Sequence, residues 1–170
     1  RSADPFTVVL SSQPTGDVTI DLTSSDTTEG TVSPAQVTFT TANWNTAQTV
    51  TVTGVDDAVV DGDIGYSIVT AAAVSSDANY SGMDAADVSV TNSDNDTAGI
   101  PVAPTGGLIT TEAGTTADFT VVLNTQPTAD VTIDLTSSDT TEGTVSPAQV
   151  TFTAANWNAA QTVTVMGVDD

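Results

Sequence analysis

The chain has 170 residues with 22 acidic side chains against a single base, a net charge of −21, and neither His nor Cys. That balance excludes nucleic acid as a natural partner, because phosphate binding needs Lys and Arg, and it disfavours anionic membrane surfaces for the same reason. It also excludes disulfides, thiolate metal sites and a Lys–Asn isopeptide staple, yet at 38% hydrophobic the chain has the material for a packed core.

Taken in order, the residues signal strands and no helix. Phe6–Leu10 is a short apolar run closed by the turn Gln13-Pro14-Thr15-Gly16. Val18, Ile20 and Leu22 alternate with Thr19, Asp21 and Thr23, the period-2 pattern of a half-buried strand. Ser24–Ser33 reads as a polar loop carrying Asp26 and Glu29. Val37-Thr38-Phe39 alternates again, Ala42–Asn45 turns, and Val50, Val52 and Val55 follow with Thr between them. An acidic loop comes next at Val55–Asp63, then a strand at Tyr66–Val74. Ser75–Ala86 is a loop with Asp77 and Asp84, and Val88–Thr91 is a last strand before the acidic joint Asn92-Ser93-Asp94-Asn95-Asp96-Thr97. Val and Thr supply the β-branched side chains that a pleated surface favours.

Beyond the joint, Gly99–Thr111 reads as a broken first strand whose two prolines suit a sheet edge. Glu112-Ala113-Gly114 then turns the chain into a second copy of what came before. Phe6 returns as Phe119, Trp44 as Trp157 and Asp57 as Asp170, all at an offset of 113 residues. Between these 52-residue stretches six positions differ: Ser11/Asn124, Ser12/Thr125, Gly16/Ala129, Thr41/Ala154, Thr46/Ala159 and Thr53/Met166. Exposed polar positions match as closely as apolar ones, which fits recent duplication. The expected organisation is therefore two sandwich repeats, residues 1–97 lacking a first strand and residues 98–170 stopping before their last two strands. The ends are out of phase with the repeats, as expected of a piece of a longer array.

Twenty-two carboxylates cannot be paired inside this chain, and their repulsion opposes compaction unless they are solvated or a cation gathers them. In a seven-stranded antiparallel sandwich, alternate loops lie at opposite ends. One end collects Glu112 after the first strand, Asp26 and Glu29 after the Val18 strand, Asp56, Asp57, Asp61 and Asp63 after the Val50 strand, and Asp94 and Asp96 after the Val88 strand. The loops at Gln13–Gly16, Pro34-Ala35 and Ala42–Asn45 carry no acid; Asp77, Asp84 and Asp87 make the segregation incomplete. Carboxylates crowded without bases suit Ca²⁺, a hard cation that takes roughly six to eight oxygens, better than Mg²⁺, which keeps its waters.

The order TEAGTTADFTVVL, VTIDLTSSDTTEG, AQTVTVTGVDDAVVDGDIGYSIV, VSVTNSDNDTAGI resembles the Calx-beta domain over nearly the whole chain. That family is a calcium-binding immunoglobulin-like sandwich of sodium–calcium exchangers and bacterial surface proteins, and the joint SDNDTAGI is similar to the acidic linkers of cadherin-like arrays. The resemblance implies Ca²⁺ ligands at Glu112, at Asp26 and Glu29 with their copies Asp139 and Glu142, at Asp56 and Asp57 with Asp169 and Asp170, and at Asp94 and Asp96. The exchanger sites have a denser acid run after the Val50-type strand, which implies fewer or weaker ions here.

Other signals carry less. Asp61-Gly62-Asp63 and Asp94-Asn95-Asp96 are pieces of an EF-hand loop without its twelve-residue frame. Asn79-Tyr80-Ser81 and Asn95-Asp96-Thr97 match glycosylation sequons by chance, and Trp44 and Trp157 read as turn-packing aromatics. An enzyme is not expected, since no His or Cys is present and no Ser has an evident base. No stretch reaches the roughly 18 apolar residues of a membrane span. The expected role is a calcium-binding spacer repeat of a long extracellular or bacterial cell-surface protein, an adhesin-like stalk whose partners are its neighbouring repeats. The alternative is a subunit of an extracellular filament assembled by strand complementation between chains.

Overall fold

In the computed structural model, which describes residues 3–169, every regular element is a β-strand and all pairings are antiparallel. No helix among the described residues is long and apolar enough to cross a membrane. The chain divides into two compact units: Arg1–Asp57 with Asp61–Asp94, and Ala58–Val60 with Asn95–Asp170.

Unit 1 contains β1 (Ala3–Val8), β2 (Val18–Ser24), β3 (Gly30–Ser33), β4 (Gln36–Phe39), β5 (Gln48–Gly54), β6 (Ile64–Thr70), β7 (Val74–Ser75) and β8 (Val88–Asn92). One sheet runs β1-β5-β3, the other β4-β2-β6-β8, with β7 pairing the free stretch of β2. A single core draws on both sheets: Val50 and Val52 from the first meet Val18, Ile20, Leu22, Val37, Phe39, Tyr66 and Ile68 from the second. This is sandwich-like packing, and the alternation in the sequence produces it. Val18, Ile20 and Leu22 point inward while Asp21 stays outside, where its carboxylate accepts from Gln36 Nε2 at 2.6 Å. Burying each such aliphatic side chain stabilises the unit by roughly 1.5–3 kcal/mol.

Two expectations change. The polar stretch 24–33 is not all loop, because its last four residues form β3 against β5, with Val32 opposite Val52. One apolar residue in four gives no periodicity to read; the partner strand supplies the pairing. The strand expected over 66–74 is also split. Thr70 ends β6 by turning its N–H to Asp87 Oδ1 at 3.0 Å and its hydroxyl to the Ala85 carbonyl at 2.8 Å, so the chain leaves the ladder there.

Unit 2 contains β9 (Val102–Ala103), β10 (Thr116–Val121), β11 (Val131–Asp134), β12 (Gly143–Ser146), β13 (Gln149–Phe152) and β14 (Gln161–Gly167). Its sheets are β12-β14-β10-β9 and β11-β13. The register repeats at the sequence offset: Phe6 faces Val50 as Phe119 faces Val163, and Ile20 faces Val37 as Ile133 faces Val150. Of the expected strand 99–111 only β9 is regular, at the outer edge of β10 between Pro101 and Pro104. The core is smaller, with Val121, Leu123, Val150, Phe152 and Val163 buried and Val131, Ile133 and Leu135 only half-buried against them.

Candidate metal centre

The loop after β2 is built to present Glu29. Asp26 Oδ1 accepts from Thr28 N at 3.0 Å and from the Thr28 hydroxyl at 2.6 Å, and the Asp26 carbonyl accepts from Ser24 Oγ and Gly30 N. The Thr28 hydroxyl foremost, then its N–H, hold the Asp26 carboxyl below its ordinary value of 3.8. Asp26 thus folds the turn that leads into Glu29, which is only 8% exposed.

A buried carboxylate needs partners. The Glu29 carbonyl accepts from Val55 N at 2.9 Å, tying the loop after β2 to the loop after β5. Asn92, the last residue of β8, donates Nδ2 to Glu29 Oε2 at 3.2 Å and to the Val55 carbonyl at 2.7 Å. The Tyr66 ring lies over Gly30; burial first, and the Glu29 charge second, raise its hydroxyl above the ordinary 10.0. Asp57 and Asp61, both exposed, each bring a carboxylate oxygen to within 4.8 Å of the Glu29 oxygen and of one another. The loop that carries them turns at Gly62, whose φ of 81° lies in the left-handed region open to glycine. Gly62 N donates to Asp94 Oδ2 at 2.8 Å, and Asp94 N donates to Asp63 Oδ1 at 3.0 Å.

The sequence-derived ligands therefore separate. Glu29 and Asp57 are brought together, and Asp94 braces the loop beside them. Asp56 is exposed and outside the cluster, although it adjoins Asp57 in sequence. Asp96 is half-buried in unit 2. Glu112 is exposed in the turn closed by the Gly114 N bond to the Thr111 carbonyl. Asp139 repeats the Asp26 turn, accepting from Thr141 N at 3.0 Å and from its hydroxyl at 2.6 Å, and is lowered for the same reason. The turn does not carry its glutamate inward: Glu142 is exposed, as is Asp169, and Asp170 lies outside the described residues. Two participants were not among the ligands that the resemblance implied. Asp61 joins the cluster in place of Asp56, and Asn92 holds the Glu29 carboxylate. The signal for Asp61 was its spacing: it closes a loop whose other end is Asp57.

The acids at other loops have other work. Asp77, 5% exposed, accepts from Thr15 N at 2.8 Å and from Asn79 N and Nδ2 at 2.9 and 3.0 Å. Tyr80, also buried, donates its hydroxyl to the Ser12 carbonyl at 2.6 Å. The 75–86 loop is thereby fastened across the turn 12–15, which explains the departure of Asp77 from the segregation of acids.

Chemically, Glu29, Asp57 and Asp61 offer hard oxygen donors in a chain with no Lys or His and a single Arg, Arg1, a donor set that fits a hard divalent cation. No family model matches the chain, and no curated protein matches it either.

Proposed function

We propose that the chain is a calcium-binding structural spacer of a long extracellular or cell-surface protein, an adhesin-like stalk of tandem Calx-beta-like, immunoglobulin-like sandwiches. Ca²⁺ fixes the joint between repeats, and the partners are the neighbouring repeats. The observation that carries this reading is the position of the acidic cluster. Asp57 and Asp61 are the residues of unit 1 on either side of Ala58–Val60, the three residues that belong to unit 2, where the Ala58 carbonyl accepts from Gln126 N at 2.7 Å. A cation held by Glu29, Asp57 and Asp61 fastens both ends of that crossing segment to the buried end of β2's loop. Without the cation, three carboxylates within 4.8 Å repel and the segment loosens at both ends. Repetition of sequence, a net charge of −21 and the absence of His and Cys agree with spacing and not with catalysis.

Calorimetric titration with calcium, paired with melting in calcium and in EGTA, tests the reading. A site present only in the native state stabilises it by about 2.7 kcal/mol at about a hundredfold excess over Kd. Solution scattering should show a stiffer chain with calcium. No heat of binding and identical scattering in calcium and chelator would sink the proposal. A second reading is a filament subunit joined by strand complementation, for which β11, hydrogen-bonded on one side only among the described residues, would be the receiving strand. Polymers growing with concentration in electron micrographs would support it; a strict monomer would not.

A further inference from the structure

The fragment Asp61-Gly62-Asp63 gives its first carboxylate to the metal centre, and the glycine that follows opens a second chemistry. Of the Asp and Asn residues in the chain, Asp61 alone is followed by glycine. An aspartyl side chain is open to attack at Cγ by the main-chain nitrogen of the next residue. The N–Cγ bond forms and a Cγ–O bond breaks; the hydroxyl of the protonated carboxyl and the hydrogen of the nitrogen leave as water. Water then reopens the resulting succinimide ring. Opening at the main-chain carbonyl leaves the next residue joined through Cγ, an isoaspartyl linkage of unchanged composition with nothing oxidised or reduced. A side chain on the attacking residue hinders the approach, and glycine has none.

Three features of the loop after β5 favour this reaction at Gly62. Asp61 and Gly62 are both exposed, so water reaches the ring. A Cβ placed on Gly62 would meet no atom within 4 Å, so no neighbour crowds the attacking residue. Gly62 N donates to Asp94 Oδ2 at 2.8 Å, and Asp94 N in turn donates to Asp63 Oδ1 at 3.0 Å. A carboxylate acceptor polarises an N–H more strongly than a neutral one, which makes the nitrogen a better nucleophile. Oδ2 is also the atom placed to take the hydrogen as the N–Cγ bond forms. Asp57 and Asp84 are equally exposed, but each is followed by alanine.

We propose that Asp61–Gly62 is a self-modification site, at which the folded chain converts Asp61 to isoaspartate while Asp94 draws the hydrogen from Gly62 N. The main chain of the loop gains one carbon, and the Asp61 carboxylate loses its methylene arm. The carboxylate thereby leaves its place beside Glu29 and Asp57, and the cluster is broken with time. The modification needs only water. Its consequence for cation binding rests on the proposed function.

The test is incubation of the full chain at neutral pH and body temperature in EGTA, followed by isoaspartyl methyltransferase labelling and peptide mapping. Isoaspartate should accumulate at residue 61 and not at Asp57 or Asp84. Asp94→Asn keeps an oxygen for the Gly62 N–H and removes the charge; it should slow the reaction about fivefold, the weight of exchanging a charge-assisted bond for a neutral one. In urea, where the fold no longer brings Asp94 to Gly62, the parent and Asp94→Asn should react alike. Asp61→Asn should close the same ring faster with loss of ammonia, read as a rise in mass at that peptide. No isoaspartate at residue 61 of the folded chain, equal amounts at Asp57, or an unchanged rate in folded Asp94→Asn overturns the proposal. Calorimetric titration of fresh and aged chain with calcium separates the two readings. A fresh chain that binds no calcium would remove the proposed function and leave the modification standing; fresh and aged chains that bind alike would overturn the consequence for the cluster.

Discussion

Gly30 and Gly143 occupy the same place in two near-identical segments, and alanine should have opposite effects at them. In unit 1 the added methyl falls on the hydroxyl and Cζ of Tyr66, with Cε2 at 2.8 Å, and the ring is only 6% exposed within the core. Its neighbours Val52 and Ile68 are buried, so the ring has nowhere to retreat without opening the core. Overpacking of this kind costs typically 1–3 kcal/mol, and expelling the aromatic outright approaches the roughly 3–5 kcal/mol of a large-to-small core substitution. A loss of about 2–4 kcal/mol should lower the melting temperature of unit 1 by about 10–30 °C for a unit of this size. Gly143→Ala adds a methyl in ordinary van der Waals contact and restricts the unfolded chain, so it should be neutral or stabilising by up to about 1 kcal/mol. Near-UV circular dichroism in a Trp157→Phe background follows unit 1 by itself, since Tyr66, Tyr80 and Trp44 all belong to it, and calorimetry follows both units. Equal shifts for the two variants, or a Gly30→Ala protein that melts like the parent, would refute the packing of Tyr66 on Gly30.

Three further outcomes follow, two from hydrogen bonds and one from the carboxylate cluster. Backbone donation from Thr15 and then from Asn79 holds the Asp77 carboxyl below 3.8; a depressed folded value gives stability that is complete above the unfolded value and is lost as pH falls through the folded one. Melting of unit 1 should therefore drop as pH falls below about 3.8, and Asp77→Asn should flatten that dependence. Tyr80→Phe removes the hydroxyl bonds to Ser12 and should cost about 0.5–1.5 kcal/mol, with faster hydrogen exchange over 75–86 than elsewhere in unit 1. On the calcium reading, Asp61→Asn should weaken calorimetric calcium affinity while Asp56→Asn leaves it unchanged, because Asp61 and not Asp56 reaches Glu29.

How much of this could be read from the residues depended on how local the cause was. Strands β2, β4 and β5 were legible because Val18-Ile20-Leu22, Val37-Phe39 and Val50-Val52 write their burial as period-2 alternation. Strand β3 was not, because Gly30-Thr31-Val32-Ser33 has one apolar residue and is a strand only through its ladder with β5. The end of β6 at Thr70 depends on Asp87, seventeen residues later, and nothing in the run from Tyr66 to Val74 announces it. Strand direction alone sent the acids of the loops after β2, β5 and β8 to one end. Which of them meet was beyond that reasoning: the adjacent pair Asp56-Asp57 looked like the natural ligand pair, but neighbouring residues of an extended chain point apart. Asp61 instead returns to Asp57 because the loop folds back at Gly62, held by Asp94.

Glu29 and Glu142 show the same limit from the other direction. Each follows an identical SSDTT segment, each sits behind the same Asx turn, and each accepts through its carbonyl from the equivalent valine, Val55 or Val168. One is buried and part of a three-carboxylate cluster; the other is exposed and in no such cluster among the described residues. The difference lies in β6 and β8, which put Tyr66 over the loop and Asn92 against the carboxylate. A carboxylate is carried into a core only when a ring excludes water on one side and an amide answers its charge on the other. The turn motif therefore specifies where the glutamate starts, and β6 and β8 decide whether it is buried beside Asp57 and Asp61. On the calcium reading proposed above, an array of such repeats would have its cation sites counted by copies of Tyr66 and Asn92 and not by copies of the acidic motif.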